Sequence, residues 1–187
     1  MADIQRIRVE LTGLTALPGV ATFYSETAVP SAKADIETFF TSIAGLMPNG
    51  LQITVPNSGD IISDTDGSLA GVWSEGSAST IGASGSGVYA AGVGARVVWG
   101  TNGIRNRRRV RGSTFICPMI GSEFDSTGTI GSSALTTLRN AATVLASSGL
   151  LRIWSRPSTV VAADGSSHTV LNGSVPDRVT SLRSRRY

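Results

Sequence analysis

The chain has 187 residues, of which 41% are hydrophobic, 16% are charged and 22 are glycine. Its net charge of +3 hides a polarised chain: residues 1–95 carry three basic and nine acidic side chains (net −6), residues 96–187 thirteen and four (net +9). So low a charge content, against ~25% in ordinary soluble domains, leaves few solubilising groups for a free monomer and suits a protein whose surface is covered in an assembly.

Residues 7–11 and 20–24 read as strands, the first alternating apolar and polar side chains as half-buried strands do. From Ser31, an N-cap candidate after Pro30, the residues Ile36, Phe39, Phe40, Ile43 and Met47 recur at helical spacing until Pro48-Asn49-Gly50. Strands are predicted over 51–55 and 69–73, with Asp66-Gly67 as a hairpin turn. Residues 75–94 are dominated by glycine, serine and alanine. They read either as a flexible linker or as glycine-rich β-structure punctuated by Ile81, Val88 and Tyr89. Strands follow at 96–99 and 113–117. A second helix starts at Ser132 or Ser133 and carries Leu135, Leu138, Ala142 and Leu145 on one face as far as Gly149. Strands at 150–154 and 168–171 close the pattern.

The elements repeat. Arg6-Ile7-Arg8-Val9 resembles Arg96-Val97-Val98-Trp99, and Thr22-Phe23 resembles Thr114-Phe115. Leu51-Gln52-Ile53 and Asp66-Gly67-Ser68 find counterparts in Leu151-Arg152-Ile153 and Asp164-Gly165-Ser166, about 90 to 100 residues on. Both halves have the order β-β-α-β-β. The expectation is a β-dominated α+β fold of antiparallel sheets with two helices, pseudo-duplicated, with a jelly-roll-like β-sandwich as the alternative. The chain is expected to form one structural domain over 1–187, with similar halves at 1–75 and 95–187 joined by 76–94.

Little chemistry is present. His168 is the sole histidine and Cys117 the sole cysteine, which leaves neither a zinc set nor an internal disulfide. Cys117 lies in the apolar run Phe115-Ile116-Cys117-Pro118-Met119 and reads as a buried thiol. There is no G-x-S-x-G elbow and no Walker A loop, and Gly92-Val93-Gly94 lacks the third glycine of a dinucleotide fingerprint. Asp64, Asp66 and Glu75 occupy the first, third and twelfth places of a calcium-loop window that also has Asp60 nearby, but Leu69 stands at its obligatory sixth-place glycine. Neither an enzyme nor a cofactor nor a metal is expected. No apolar run approaches the ~20 residues of a membrane-spanning helix. Residues 1–6 lack a leader's apolar core, so cytoplasmic synthesis without export is the expectation.

The basic residues are nearly all arginine, Lys33 being the one lysine. Arg105, Arg107, Arg108, Arg109 and Arg111 fall within seven residues, and Arg183, Arg185 and Arg186 repeat the theme near the C-terminus. A guanidinium binds phosphate or carboxylate through a planar fork and tolerates interfaces better than an ammonium. Packaged nucleic acid, a neighbouring subunit and a solvated hairpin loop are all compatible with these runs. No helix-turn-helix, zinc-finger or RNA-binding pattern accompanies them, which disfavours a sequence-specific reader.

Two stretches carry a likeness: Arg107-Arg108-Arg109-Val110-Arg111-Gly112-Ser113-Thr114-Phe115-Ile116, followed by Thr127-Gly128, and Gly173-Ser174-Val175-Pro176-Asp177-Arg178-Val179, followed by Leu182-Arg183-Ser184-Arg185-Arg186. With Leu17-Pro18-Gly19-Val20 and Gly50-Leu51-Gln52-Ile53-Thr54-Val55-Pro56 they span most of the chain. The whole resembles a group of poorly characterised virion proteins of bacteriophages and small environmental viruses. That resemblance implies a structural role without catalytic residues. The first expectation is a self-assembling capsid (coat) subunit, located in the virion, with copies of itself, other virion proteins and packaged nucleic acid as partners. A tail or head–tail adaptor subunit is the alternative, and a non-viral nucleic-acid-binding module is the third reading.

Overall fold

A computed structural model describes residues 3–14, 19–25, 31–63, 65–99, 113–125, 130–145, 152–155, 159–162 and 167–169. The first alternating stretch becomes β1 (Ile4–Thr12), which buries Ile7, Val9 and Leu11 on one face and exposes Arg6, Arg8 and Glu10 on the other. Antiparallel to it runs β2 (Gly19–Ser25), with Ile7 opposite Phe23. The helical stripe becomes α1 (Ser31–Ile43), whose Ile36, Phe39, Phe40 and Ile43 are buried. A 3-10 turn, Ala44–Leu46, carries the chain on to the buried Met47, and Pro48 prevents further helix.

The chain returns as β3 (Gln52–Val55), which takes the other edge of β1 with Leu11 opposite Ile53. A hairpin of β4 (Ser58–Ile62) and β5 (Leu69–Ser74) then comes back to the opposite end of that same edge, with Arg6 opposite Asp60. Outside β3 lies β6 (Ser79–Gly82). The second half consists of β7 (Tyr89–Trp99), β8 (Ser113–Ile120), α2 (Ser132–Thr143), β9 (Arg152–Ser155), β10 (Thr159–Ala162) and β11 (Ser167–Thr169). One sheet has the order β5-β4-β1-β3-β6 with β2 on the free edge of β1; the other has β11-β10-β9-β7-β8.

This is the expected strand-rich α+β fold with antiparallel sheets and two helices. The jelly-roll-like sandwich is not adopted, because α1 and α2 contribute their own buried faces to the core that a second sheet would otherwise fill. The internal repeat has a structural counterpart, since β2-β1-β3 and β8-β7-β9 share one order. Register agrees with the aligned residues. Ile7 faces Phe23 and Arg8 faces Thr22, while Val97 faces Phe115 and Val98 faces Thr114.

The halves differ at the third strand. Ile53 faces Leu11, whereas Ile153 faces Val97, the counterpart of Ile7. The strand after the helix has therefore slid by four residues. An even shift keeps every side chain on its face, and it frees the start of β1 for β4.

β2 lies beside β8 and α1 beside α2, and one apolar core draws on both halves. The Phe40 ring packs edge-on against Phe23 (5.7 Å), Phe39 (5.1 Å) and Phe115 (5.0 Å). Against this aromatic helix face, α2 presents Ala134, Leu138, Ala141 and Ala142, all buried.

The glycine-rich stretch is β-structure: β6, then the first residues of β7, with a parallel bridge between Pro48 and Gly85 in between. Gly85 is buried, and a Cβ there would collide with the carbonyl oxygens of Met47 and Gly45. The turn at Thr127-Gly128 and the outer ends of the strands predicted at 150–154 and 168–171 lie outside the described residues.

Phe40→Ala is expected to lower unfolding free energy by about 3–5 kcal/mol, measured by chemical denaturation followed by circular dichroism. Gly85→Ala should cost roughly 1–3 kcal/mol through overpacking. The open, exposed Gly82 should accept alanine within about 1 kcal/mol.

Candidate functional site

Arg105, Arg107, Arg108, Arg109 and Arg111, and likewise Arg183, Arg185 and Arg186, lie outside the described residues. The frame of the first run is described. Trp99 pairs directly with Ser113, so residues 100–112 leave and rejoin the sheet at adjacent strand ends. Phe115, next to these strand ends, is buried, as a core residue rather than a base-stacking platform would be.

The outer face of the first sheet gathers a second set of charges. Strand alternation exposes Arg6 and Arg8, and Asp60 lies directly opposite Arg6 and forms an ion pair with it. Their side chains keep 45% and 30% of their exposure, so the pair contributes only about 0.2–1 kcal/mol. With Arg8, Val20, Thr22, Ser58 and Gly59 they line an open depression of about 370 Å³. Pairing with β4 covers Ile4 to Arg6 and pairing with β3 covers Glu10 to Thr12, so Ile7, Arg8 and Val9 have no ladder partner on that edge. Arg8 has no carboxylate partner among the described residues.

Trp73 locks the corner. Its Nε1 donates to the Arg6 carbonyl oxygen at 3.2 Å, so that backbone acceptor is satisfied by a side chain. The approach passes over Gly59, where a Cβ would collide with both the indole and that oxygen. Around the ion pair Val20, Leu69 and Val72 are 53%, 62% and 64% exposed. A paired ion, one guanidinium without a carboxylate and exposed aliphatic groups make a contact surface.

Other polar groups hold elements together. The buried Lys33 donates through Nζ to Glu37 Oε1 (2.5 Å) and to Ser79 Oγ (3.2 Å), and the Ser79 hydroxyl donates to the same Glu37 oxygen. This triangle ties α1 to β6. Burial pushes the Cys117 thiol far above its ordinary pKa, which keeps it protonated and unreactive.

Of the acids weighed for calcium, Asp60 is taken by Arg6, and Asp66 accepts from the Ser68 backbone N–H (2.9 Å) and hydroxyl (2.7 Å) in a turn where Gly67 has φ 75°. Asp64 lies outside the described residues, among which no three potential metal ligands gather. His168 has only its backbone described, in β11. No helix among the described residues is long and apolar enough to cross a membrane. Sequence reasoning did not single out Arg6, Arg8 or Asp60 as a group. Alternation alone would have placed the two arginines on one face, but nothing local announces Asp60.

The acid limb of stability carries a signature of the Lys33 triangle. Burial works to raise the Glu37 pKa, but the hydrogen bonds from Lys33 and Ser79 and the charge of Lys33 together outweigh it and hold the carboxyl below its ordinary value. A lowered folded-state pKa contributes stability that is complete above the unfolded value, about 4.3, and is lost as pH falls through the folded one. Glu37→Gln should therefore lower the melting temperature at pH 7 and flatten its fall between about pH 5 and 3, as followed by thermal melts across that range.

Comparison with protein-family models, with curated proteins and with solved structures finds no match to this chain.

Proposed function

We propose that the chain is a structural subunit of a virion, a coat protein that assembles with copies of itself and uses its arginine runs at subunit contacts or against the packaged genome. The observation that carries this reading is the direct pairing of Trp99 with Ser113, the described residues that flank the first arginine run in sequence. Five arginines lie between Trp99 and Ser113 in the sequence of every copy. In an assembly they sum to a positive surface with affinity for a polyanion or for the acidic half of a neighbour. Low overall charge, exposed aliphatic groups on the outer sheet face and polar pairs spent on joining elements support a mechanical role. The likeness to virion proteins in residues 107–116 and 173–186 supplies the viral context.

Size-exclusion chromatography with light scattering, with the 260/280 nm absorbance ratio recorded at low and high salt, tests the reading. Shell-sized particles with a raised ratio are the expected result. Small rings would point instead to a tail or adaptor part, and a clean monomer at both salts would overturn self-assembly. Substituting Arg107, Arg108 and Arg109 by serine should abolish particles or their nucleic acid while leaving the melting temperature within a few degrees. If the triple variant assembles normally and keeps its nucleic acid, the arginines do not have this role.

A further inference from the structure

We infer that β5 is a docking edge, and that its occupant is the basic C-terminal segment, residues 178–187, of a second copy of the chain. The inference rests on the assembly reading above and names the contact that would build it.

Among the described residues β5 pairs only with β4, which leaves its other edge without a ladder partner. Exposed edges are normally guarded by charge, proline or a covering element. Leu69-Ala70-Gly71-Val72-Trp73-Ser74 contains neither charge nor proline, and Leu69 and Val72 stand 62% and 64% exposed on it. Such an edge accepts an extended backbone by strand addition, with side chains and flanking charges selecting which one.

The flanks are acidic. Asp66 precedes the strand and is exposed, and Glu75 follows it. Glu75 keeps Oε2 out of solvent with no hydrogen-bond partner among the described residues. A carboxylate oxygen in that state lacks a donor, and an arginine on an incoming strand supplies one. Two β5 edges pairing antiparallel about a two-fold axis would set Asp66 of each copy beside Glu75 of the other, a like-charge arrangement that disfavours self-pairing.

Residues 178–187 are complementary. They hold Arg178, Arg183, Arg185 and Arg186 with no acid and no proline, and Val179, Thr180, Leu182 and Tyr187 favour extended structure. Strand order argues for a second copy: β11, the last described strand before this segment, is the outer strand of one sheet, β5 is the outer strand of the other, and the two sheets meet at β8 and β2. A contact from the tail of one copy to the β5 edge of the next is head-to-tail, so it propagates into a ring, shell or filament.

The test uses full-length protein. Val72→Cys and Ser184→Cys variants are mixed, oxidised under assembling conditions and mapped by mass spectrometry; the buried Cys117 does not compete. The expected result is a Val72–Ser184 disulfide between copies, at least about tenfold above that from a Ser122→Cys control on an exposed 3-10 turn. In parallel, Val72→Lys should raise the concentration for half-assembly about tenfold or more through charge repulsion, without changing the melting temperature. Particles that form without the crosslink, or a crosslink confined within single chains of the double variant, overturn this inference and leave the coat reading standing. A protein that stays monomeric in every mixture overturns both.

Discussion

Everything in the molecule turns on Phe40. Its ring lies between Phe23 on β2 and Phe115 on β8, the two residues that the internal repeat places in equivalent positions. One aromatic side chain therefore bridges matching points of both halves, and Phe39 adds edge-on contacts to Phe40 and Phe115. Such pairs add about 0.5–1.5 kcal/mol each to what their buried area supplies. A strictly symmetric duplication would put a second phenylalanine pair on α2, where there is no room. The chain solves the conflict by chemistry: α1 is aromatic where α2 is alanine, and large side chains on one helix fill the space that small ones on the other leave. The seam between β2 and β8, which no ladder hydrogen bonds close among the described residues, depends on that packing.

The same asymmetry reaches the outer face. Because β3 is slid four residues along β1 relative to its counterpart, part of the β1 edge is released and the β4–β5 hairpin takes it. Three features follow from that one slide. Asp60 comes opposite Arg6, the Trp73 indole satisfies the Arg6 carbonyl over Gly59, and a gap opens beside Arg8 between the two ladders. In the second half β10 stays on β9, and no equivalent corner is built among the described residues. The half richer in acids thus also carries the uncharged edge of β5 that has no ladder partner among the described residues.

Much of this was legible in the residues. Both helices announced themselves because a buried stripe at 3.6-residue spacing is a local signal, and Pro48-Asn49-Gly50 stops the first one near the predicted place. The repeat was legible because Thr22-Phe23 and Thr114-Phe115 keep their strand registers. β4 was missed, β6 fell in the stretch where β-structure had been left open, and β10 was missed although Thr159-Val160-Val161 favours a strand. Ser58-Gly59-Asp60 and Ser79-Thr80-Ile81-Gly82 have weak strand propensity, and partners supplied from distant parts of the chain make them strands. The Arg6–Asp60 pair was illegible for the same reason, since it depends on the slide of β3. For residues 75–94 composition left linker and β-structure open, and only the close approach of Gly85 to the Met47 and Gly45 carbonyls explains why small side chains are needed there. The arginine runs were the plainest signal in the sequence; of their surroundings, only the anchoring strands β7 and β8 are described.

A duplicated fold with unequal halves has a consequence for how copies meet. Two-fold association sets a group against its own copy only near the axis, and away from it pairs acidic with basic groups twice over, which closes the assembly at two copies. Head-to-tail association places the acidic half of one copy against the basic half of the next and gains from the same charges at every contact. Screening over a Debye length of about 8 Å at physiological salt restricts that gain to groups brought close together, so polarity favours contact between unlike halves without fixing its geometry. Geometry has to come from a directional element, and an unguarded strand edge is one, because a ladder sets both spacing and orientation. On the proposed reading, then, charge chooses which ends meet and the sheet edge determines how. The long-range polarity of the sequence and the four-residue slide of one strand would be two parts of a single assembly mechanism.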